Sequence, residues 1–241
     1  MTYLSLPCMD SVLNVCLKHY LYTGVTGTMA QKDTARSILD SAEELFSERG
    51  FAETSLRNIT TRAGVNLAAV NYHFGSKKEL IQAVFARFLA PFCDDLGKAL
   101  RGYEHGLAGQ SPQLDALLRL LAETSMAAGG GNARRLGIFM RLLGLAYSQE
   151  QGHLRKFLRN HYGAVFERYM QLVTAASPEL SDEERFWRIH FMLGATVFTL
   201  SGVESLTAMA KHDLGVSTGI DGVVDKLVPF LSSGFQAPHQ E

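Results

Sequence analysis

The stretch Ser55-Leu56-Arg57-Asn58-Ile59-Thr60-Thr61-Arg62-Ala63-Gly64-Val65-Asn66-Leu67-Ala68-Ala69-Val70-Asn71-Tyr72-His73-Phe74-Gly75-Ser76-Lys77-Lys78-Glu79-Leu80 decides how the chain is read. Ser55 is a good N-cap, because its hydroxyl accepts from an orphan amide of the first helical turn. Leu56, Ile59 and Ala63 fall at i, i+3 and i+7 and make one apolar face. Gly64 suits the left-handed backbone of a C-cap. Val65 then turns inward and Asn66 caps a second helix, Leu67 to Phe74. Gly75 stops that helix, and Ser76 caps a third that opens with Lys77-Lys78. Helix, glycine turn and helix make a helix-turn-helix. In that motif the second helix enters the DNA major groove with its N-terminal residues toward the base edges.

The charge pattern agrees. Arg57, Arg62, Lys77 and Lys78 are basic, and no Asp or Glu lies between Ser55 and Lys78. The segment before it carries Asp33, Asp40, Glu43, Glu44, Glu48 and Glu53 against Arg36 and Arg49. One face can meet phosphate, while a formal charge of −1 over 241 residues excludes indiscriminate affinity for polyanions. With 46% hydrophobic and 20% charged residues, the chain is an ordinary globular protein of one large or two modest domains. No apolar run reaches the ~18 residues of a membrane span. Cys8, Cys16 and Cys93 lack metal or disulfide spacing, and a reducing cytoplasm is the natural compartment.

Residues 1–28 have mixed composition, no basic leader and no cleavage signal, and read as a disordered extension or a misassigned start before Met29. A first helix from about Asp33 to Arg49 carries Ile38, Leu39, Ala42, Leu45 and Phe46 on one stripe. Helix 4 starts at Ser76, and Pro91 should kink or end it. Gly102, Gly106, Gly109 and Pro112 mark a loop. Helices then follow over Leu114–Ala128, Arg134–Ser148, His153–Ala176, Ser181 to about Lys211 (with Ser181 and Glu184 as a capping box), and Ile220–Leu231. The fold class is all-α: a helix-turn-helix domain over 29–92, a helical ligand-binding and dimerisation bundle over 93–236, and a tail over 237–241.

Ala63 to Leu80, with the lead-in Ile38 to Leu56, resembles the signature of the tetracycline-repressor (TetR) family of bacterial regulators. The stretches Phe139–Gln149, Gln151–Leu158 and Phe186–Ala195 resemble its fatty-acid-responsive repressors of the PsrA type. That resemblance implies a homodimeric repressor that binds double-stranded, palindromic operator DNA and leaves it when a small molecule enters the bundle. The PsrA-like match implies control of fatty-acid degradation, with a long-chain fatty acid or acyl-coenzyme A as effector. The alternative is a regulator of efflux or other metabolism with an unrelated apolar ligand.

Carried over by position, Thr54 and Ser55 hold phosphate at a helix N-terminus. Tyr72 and His73 contact phosphate or a thymine methyl, and Lys77 pins helix 4 to the DNA backbone. Asn66, Leu67, Ala68, Ala69 and Asn71 face the bases. The family often has a basic or small polar residue at Leu67 and an aromatic at Asn71, so these departures point to an individual operator.

No enzyme chemistry emerges. Gly215-Val216-Ser217-Thr218-Gly219 matches a nucleophile elbow but sits between helices, and only His239 follows it. No metal spacing occurs and no cofactor is expected. Arg141 interrupts an apolar helix, so its guanidinium needs a partner, either a core carboxylate such as Glu204 or a ligand carboxylate. Arg188 and His190 are the next candidates for an effector headgroup. His190 also fits a buried, hydrogen-bonded core role. Phe139 and Phe191 stand among the large apolar groups offered to a ligand.

Overall fold

A computed structural model describes residues 29–149 and 152–238, and the extension before Met29, the pair Glu150 and Gln151 and the last three residues lie outside them. The described residues form ten helices and no strand: α1 Met29–Glu53, α2 Leu56–Ala63, α3 Leu67–Phe74, α4 Lys77–Leu107, α5 Leu114–Ala128, α6 Ala133–Ser148, α7 Gly152–Ala175, α8 Asp182–Ser201, α9 Val203–Leu214 and α10 Ile220–Phe235. The chain divides into two compact units between Ala86 and Arg87, inside α4.

In the N-terminal unit, α1 breaks at Gly50, whose φ of 82° a side chain would resist. The break returns Phe51 to the core, where its ring lies 5.4 Å from Phe46 and 6.2 Å from Phe85. Ile38, Leu39, Ala42, Leu45 and Phe46 are all buried, as the stripe requires. Helix α2 is fastened to α1 twice. Ser37 Oγ donates to the carbonyl of Ala63 at 3.0 Å, and Arg62 bridges Glu44 at 2.6 Å and Glu48 at 3.2 Å.

In the C-terminal unit, α6 lies along α8. Gly137 and Gly144, two turns apart, make that approach close: a Cβ at Gly137 would meet the Leu200 carbonyl at 3.1 Å, and one at Gly144 the Val197 side chain at 3.0 Å. Phe88 stacks on Phe139 at 3.8 Å, and Phe92 faces Phe166 at 6.2 Å. Tyr169 donates across the bundle to the Leu117 carbonyl at 3.3 Å.

Several details differ from the sequence reading. Pro91 does not end α4, and Gly102 and Gly106 lie within it, so the loop begins only after Leu107. A proline removes one backbone bond, and burial of Phe88, Leu89, Phe92, Leu96 and Leu100 on one side offsets that loss. The long helix after Ser181 is two helices, bent by 71° at Gly202. Glycine is the weakest helix former apart from proline, and here it lets α9 turn away. Ser181 caps α8 through the amide of Glu184 at 3.1 Å, but the Glu184 carboxylate turns to Arg188 instead of completing a capping box.

Candidate nucleic-acid interface and ligand site

Local chemistry builds the helix-turn-helix. Ser55 Oγ accepts from the amide of Asn58 at 3.1 Å, and Asn58 Oδ1 accepts from the amide of Ser55 at 3.1 Å. This is a reciprocal capping box with Asn58 in place of the usual Glu or Gln. Gly64 adopts φ 68° and ψ 29°, and the amide of Val65 reaches back to the Thr60 carbonyl at 3.0 Å. Asn66 Oδ1 accepts from the Ala69 amide at 2.9 Å and starts α3.

Helix α3 is anchored by Val70, which is fully buried. Its outer face presents Leu67 (49% exposed), Ala68, Asn71 and Tyr72 (73% exposed), while Ala69 and His73 are half-buried. Large apolar groups this open to water are expected where a surface meets something else. The imidazole of His73 lies edge-on to Tyr72 at 5.0 Å. Partial burial lowers its pKa from 6.5, which keeps it neutral at pH 7. No side chain of α3 carries a formal charge at that pH. Positive charge lies instead on the neighbours: among the described residues Arg57 and Lys78 are exposed with no ion pair, and Lys77 rests its ammonium 3.4 Å from the Ala52 carbonyl. Burial lowers the Lys77 pKa and Glu53 opposes that shift.

Two sequence assignments on this face are corrected. Thr54 is wholly buried, and its hydroxyl is shared between the carbonyls of Leu45 at 3.1 Å and Gly50 at 2.8 Å, so it closes the α1 break and cannot reach phosphate. Arg62 leaves the basic face because Glu44 and Glu48 neutralise it. Asn66 is exposed, but its side-chain oxygen is engaged as a cap, leaving only its amide nitrogen for a base.

The ligand candidates are not brought together. Arg141 is exposed and donates to the Ser201 carbonyl at 3.0 Å, so it caps the C-terminus of α8, and neither Glu204 nor a buried pocket is its partner. Arg188 is buried: its Nε donates to Glu184 at 2.8 Å, and its Nη1 to the Phe235 carbonyl at 2.5 Å and the Ala237 carbonyl at 2.6 Å. It ties the segment after α10 to α8. His190 is half-buried, with Nδ1 2.7 Å from the Phe186 carbonyl and its ring 4.1 Å from that of Phe186. Phe139 is core, stacked on Phe88. Phe191 is 67% exposed on the outside of α8, 6.1 Å from Trp187, and faces no interior.

Sequence reasoning missed an open apolar groove of about 600 Å3 between α8, α9 and α10, with Lys226 its single charged lining residue. Its lining comes from three helices and a linker, a convergence that no local motif announces. The Gly215–Gly219 string is that linker, with Val216 and Thr218 in the groove wall. Among the described residues no cluster of His, Cys, Asp or Glu is arranged to hold a metal. No single described helix is long and apolar enough to cross a membrane.

These features define an all-helical protein of the helix-turn-helix class. Residues 38–84 match the model of bacterial regulatory proteins of the tetR family, and residues 113–234 match that of the tetracyclin repressor-like C-terminal domain. The chain belongs to the TetR family. It is 46% identical over 54 residues to the HTH-type transcriptional repressor Rv3405c of Mycobacterium tuberculosis, a match covering 22% of this chain and 29% of that protein. It is 42% identical over 53 residues to the regulator TtgR of Pseudomonas putida, covering 22% and 25%. The matched segment thus spans less than a third of either relative. Solved structures agree over far more of the fold. A TetR-like transcriptional regulator from Rhodococcus sp. RHA1 aligns over 85% of this chain and 97% of its own, with TM-score 0.52 and 22% identity. An HlyIIR mutant aligns over 86% and 98%, with TM-score 0.56 and 19% identity.

Proposed function

We propose that this protein is a ligand-responsive transcriptional repressor that binds a palindromic operator as a homodimer in the bacterial cytoplasm. The observation that carries the reading is the outer face of α3, with Leu67, Ala68, Asn71 and Tyr72 open to solvent beside the unpaired cations Arg57 and Lys78. Residues 29–92 form the DNA-binding head in this reading, and residues 93–236 the ligand-binding and dimerisation part. The amides opening α2 at Ser55, with Tyr72, His73 and Lys77, meet phosphate or sugar. Leu67 and Ala68 offer apolar contact to thymine methyls, and Asn71 supplies donor and acceptor to a base edge.

Dimerisation is supported by exposed apolar side chains on the outside of the C-terminal unit. Trp187, Phe191 and Phe198 are each more than half exposed, a surface that a lone chain rarely leaves in water. The effector is a long-chain fatty acid, free or as its coenzyme A thioester, and the genes are those of fatty-acid degradation. Support for that part is the likeness of Phe139–Gln149, Gln151–Leu158 and Phe186–Ala195 to the PsrA-type repressors. The effector need only bind the non-operator state better, and about 3 kcal/mol of preference shifts the equilibrium more than a hundredfold.

The test is a shift assay on fragments of the protein's own promoter region and of fatty-acid-degradation promoters, with and without oleate or oleoyl-coenzyme A. The reading expects a twofold-symmetric footprint, lost on adding effector. Binding to every fragment alike, or to none, would refute the repressor; a footprint indifferent to both lipids would refute the effector.

A further inference from the structure

We propose that the groove between α8, α9 and α10 binds a single-chain anionic amphiphile, its hydrocarbon tail against α9 and α10 and its acidic head on Lys226. This deepens the reading above, on which it rests, by giving the effector a seat. Leu206, Ala210 and Leu214 of α9 face Leu227 and Phe230 of α10, with Val216 in the linker between. Leu214 and Phe230 are 74% and 68% exposed, so the groove is unfilled by the chain that makes it. A volume of about 600 Å3 lies within the 300–1,000 Å3 usual for small-molecule sites.

The polar inventory selects the ligand's chemistry. Three threonines line the groove, and the Thr207 hydroxyl is engaged by the carbonyls of Val203 and Glu204 at 2.8 and 3.1 Å. A polar ligand would leave most of its groups without partners. No carboxylate lines the groove, and among the described residues Lys226 has no hydrogen-bond or ion-pair partner, so one negative charge is favoured and a positive one is not. Arg141, Arg188 and His190, the other candidates for a headgroup, do not line the groove.

The test uses the full chain without DNA. Displacement of a fluorescent fatty acid is measured for straight-chain acids of eight to eighteen carbons and for the matching alcohols. Affinity should rise up to about fourfold per methylene until the groove is full. Lys226→Glu should weaken the acids tenfold or more and the alcohols little. Ala210→Phe, which fills the trough, should weaken both, with the helical signal unchanged in each variant. Acids that bind the wild type and both variants equally would place the effector elsewhere and overturn the groove while the repressor reading stands. Variants that change the oligomeric state but not acid binding would show that a second copy covers the groove, again overturning the proposal. A wild type that binds no acid would overturn the groove and the fatty-acid effector together, leaving operator binding intact.

Discussion

Charged side chains are used differently in the two units. Beside α3, among the described residues, Arg57 and Lys78 stand without an ion pair, while Arg62 is tied down by Glu44 and Glu48 and Lys77 leans on the Ala52 carbonyl. In the C-terminal unit, Arg141, Arg185 and Arg188 all hold backbone carbonyls at helix ends: Ser201 for the first, Ser177 and Leu180 for the second, Phe235 and Ala237 for the third. Apolar groups reverse the pattern. The head hides nearly all of its large hydrophobics except Leu67 and Tyr72, whereas the C-terminal unit leaves Trp187, Phe191, Phe198 and Phe230 open. In the head, then, free charge and a small apolar patch mark the face proposed to meet DNA. In the second unit exposed carbon stands out, and arginine is structural.

That contrast breaks most visibly at Arg188. Replacing it with Met removes one partner of a buried network and strands the carbonyls of Phe235 and Ala237. A loss of about 3–5 kcal/mol is expected in denaturant unfolding. A loss below about 1 kcal/mol would mean the arginine is free for other work. Thr54→Val comes next. Its hydroxyl serves two carbonyls inside the head, so unfolding should cost about 1–3 kcal/mol less, while the salt dependence of operator binding in the folded protein stays unchanged. A shallower salt slope would return Thr54 to the phosphate contacts.

Lys77→Ala sharpens the other side of the comparison. Operator preference should be kept, while the slope of log K against log salt falls by about one unit per protomer, as for one lost phosphate contact. An unchanged slope would leave Lys77 as a cap on the Ala52 carbonyl alone. The smallest effect belongs to His73. Its folded pKa lies below the unfolded 6.5, so the unfolded chain binds the proton first. Stability should therefore be fully present above pH 6.5 and decline as pH falls from there through the folded value. His73→Asn should flatten that part of the pH profile, and an identical profile would remove the assignment.

Much of the head was legible because its determinants lie within four residues of one another. Ser55, Gly64 and Asn66 act as caps through bonds to Asn58, Thr60 and Ala69, and such spacings are visible in sequence. The boundaries of α5 follow likewise from its apolar period and the glycines after Ala128. Distant partners were not legible. Arg141 meets Ser201 sixty residues away, and Arg188 meets Phe235 forty-seven away, so both looked like unpaired cations awaiting a ligand. Pro91 and Gly202 are helix-breaking residues with opposite outcomes. Tertiary packing carries α4 through the proline, while no comparable burial holds α8 and α9 in line across the glycine. The groove was invisible for the same reason, since α9 exists as a separate wall only because of that bend.

The account's central claim is that the two working faces are coupled. Titrating the operator complex with acyl chains of eight to eighteen carbons, by fluorescence anisotropy of labelled DNA, tests it most directly. Release should grow with chain length and then level off once the site is full. Release that ignores chain length, or a complex that no acyl chain disturbs, would contradict it.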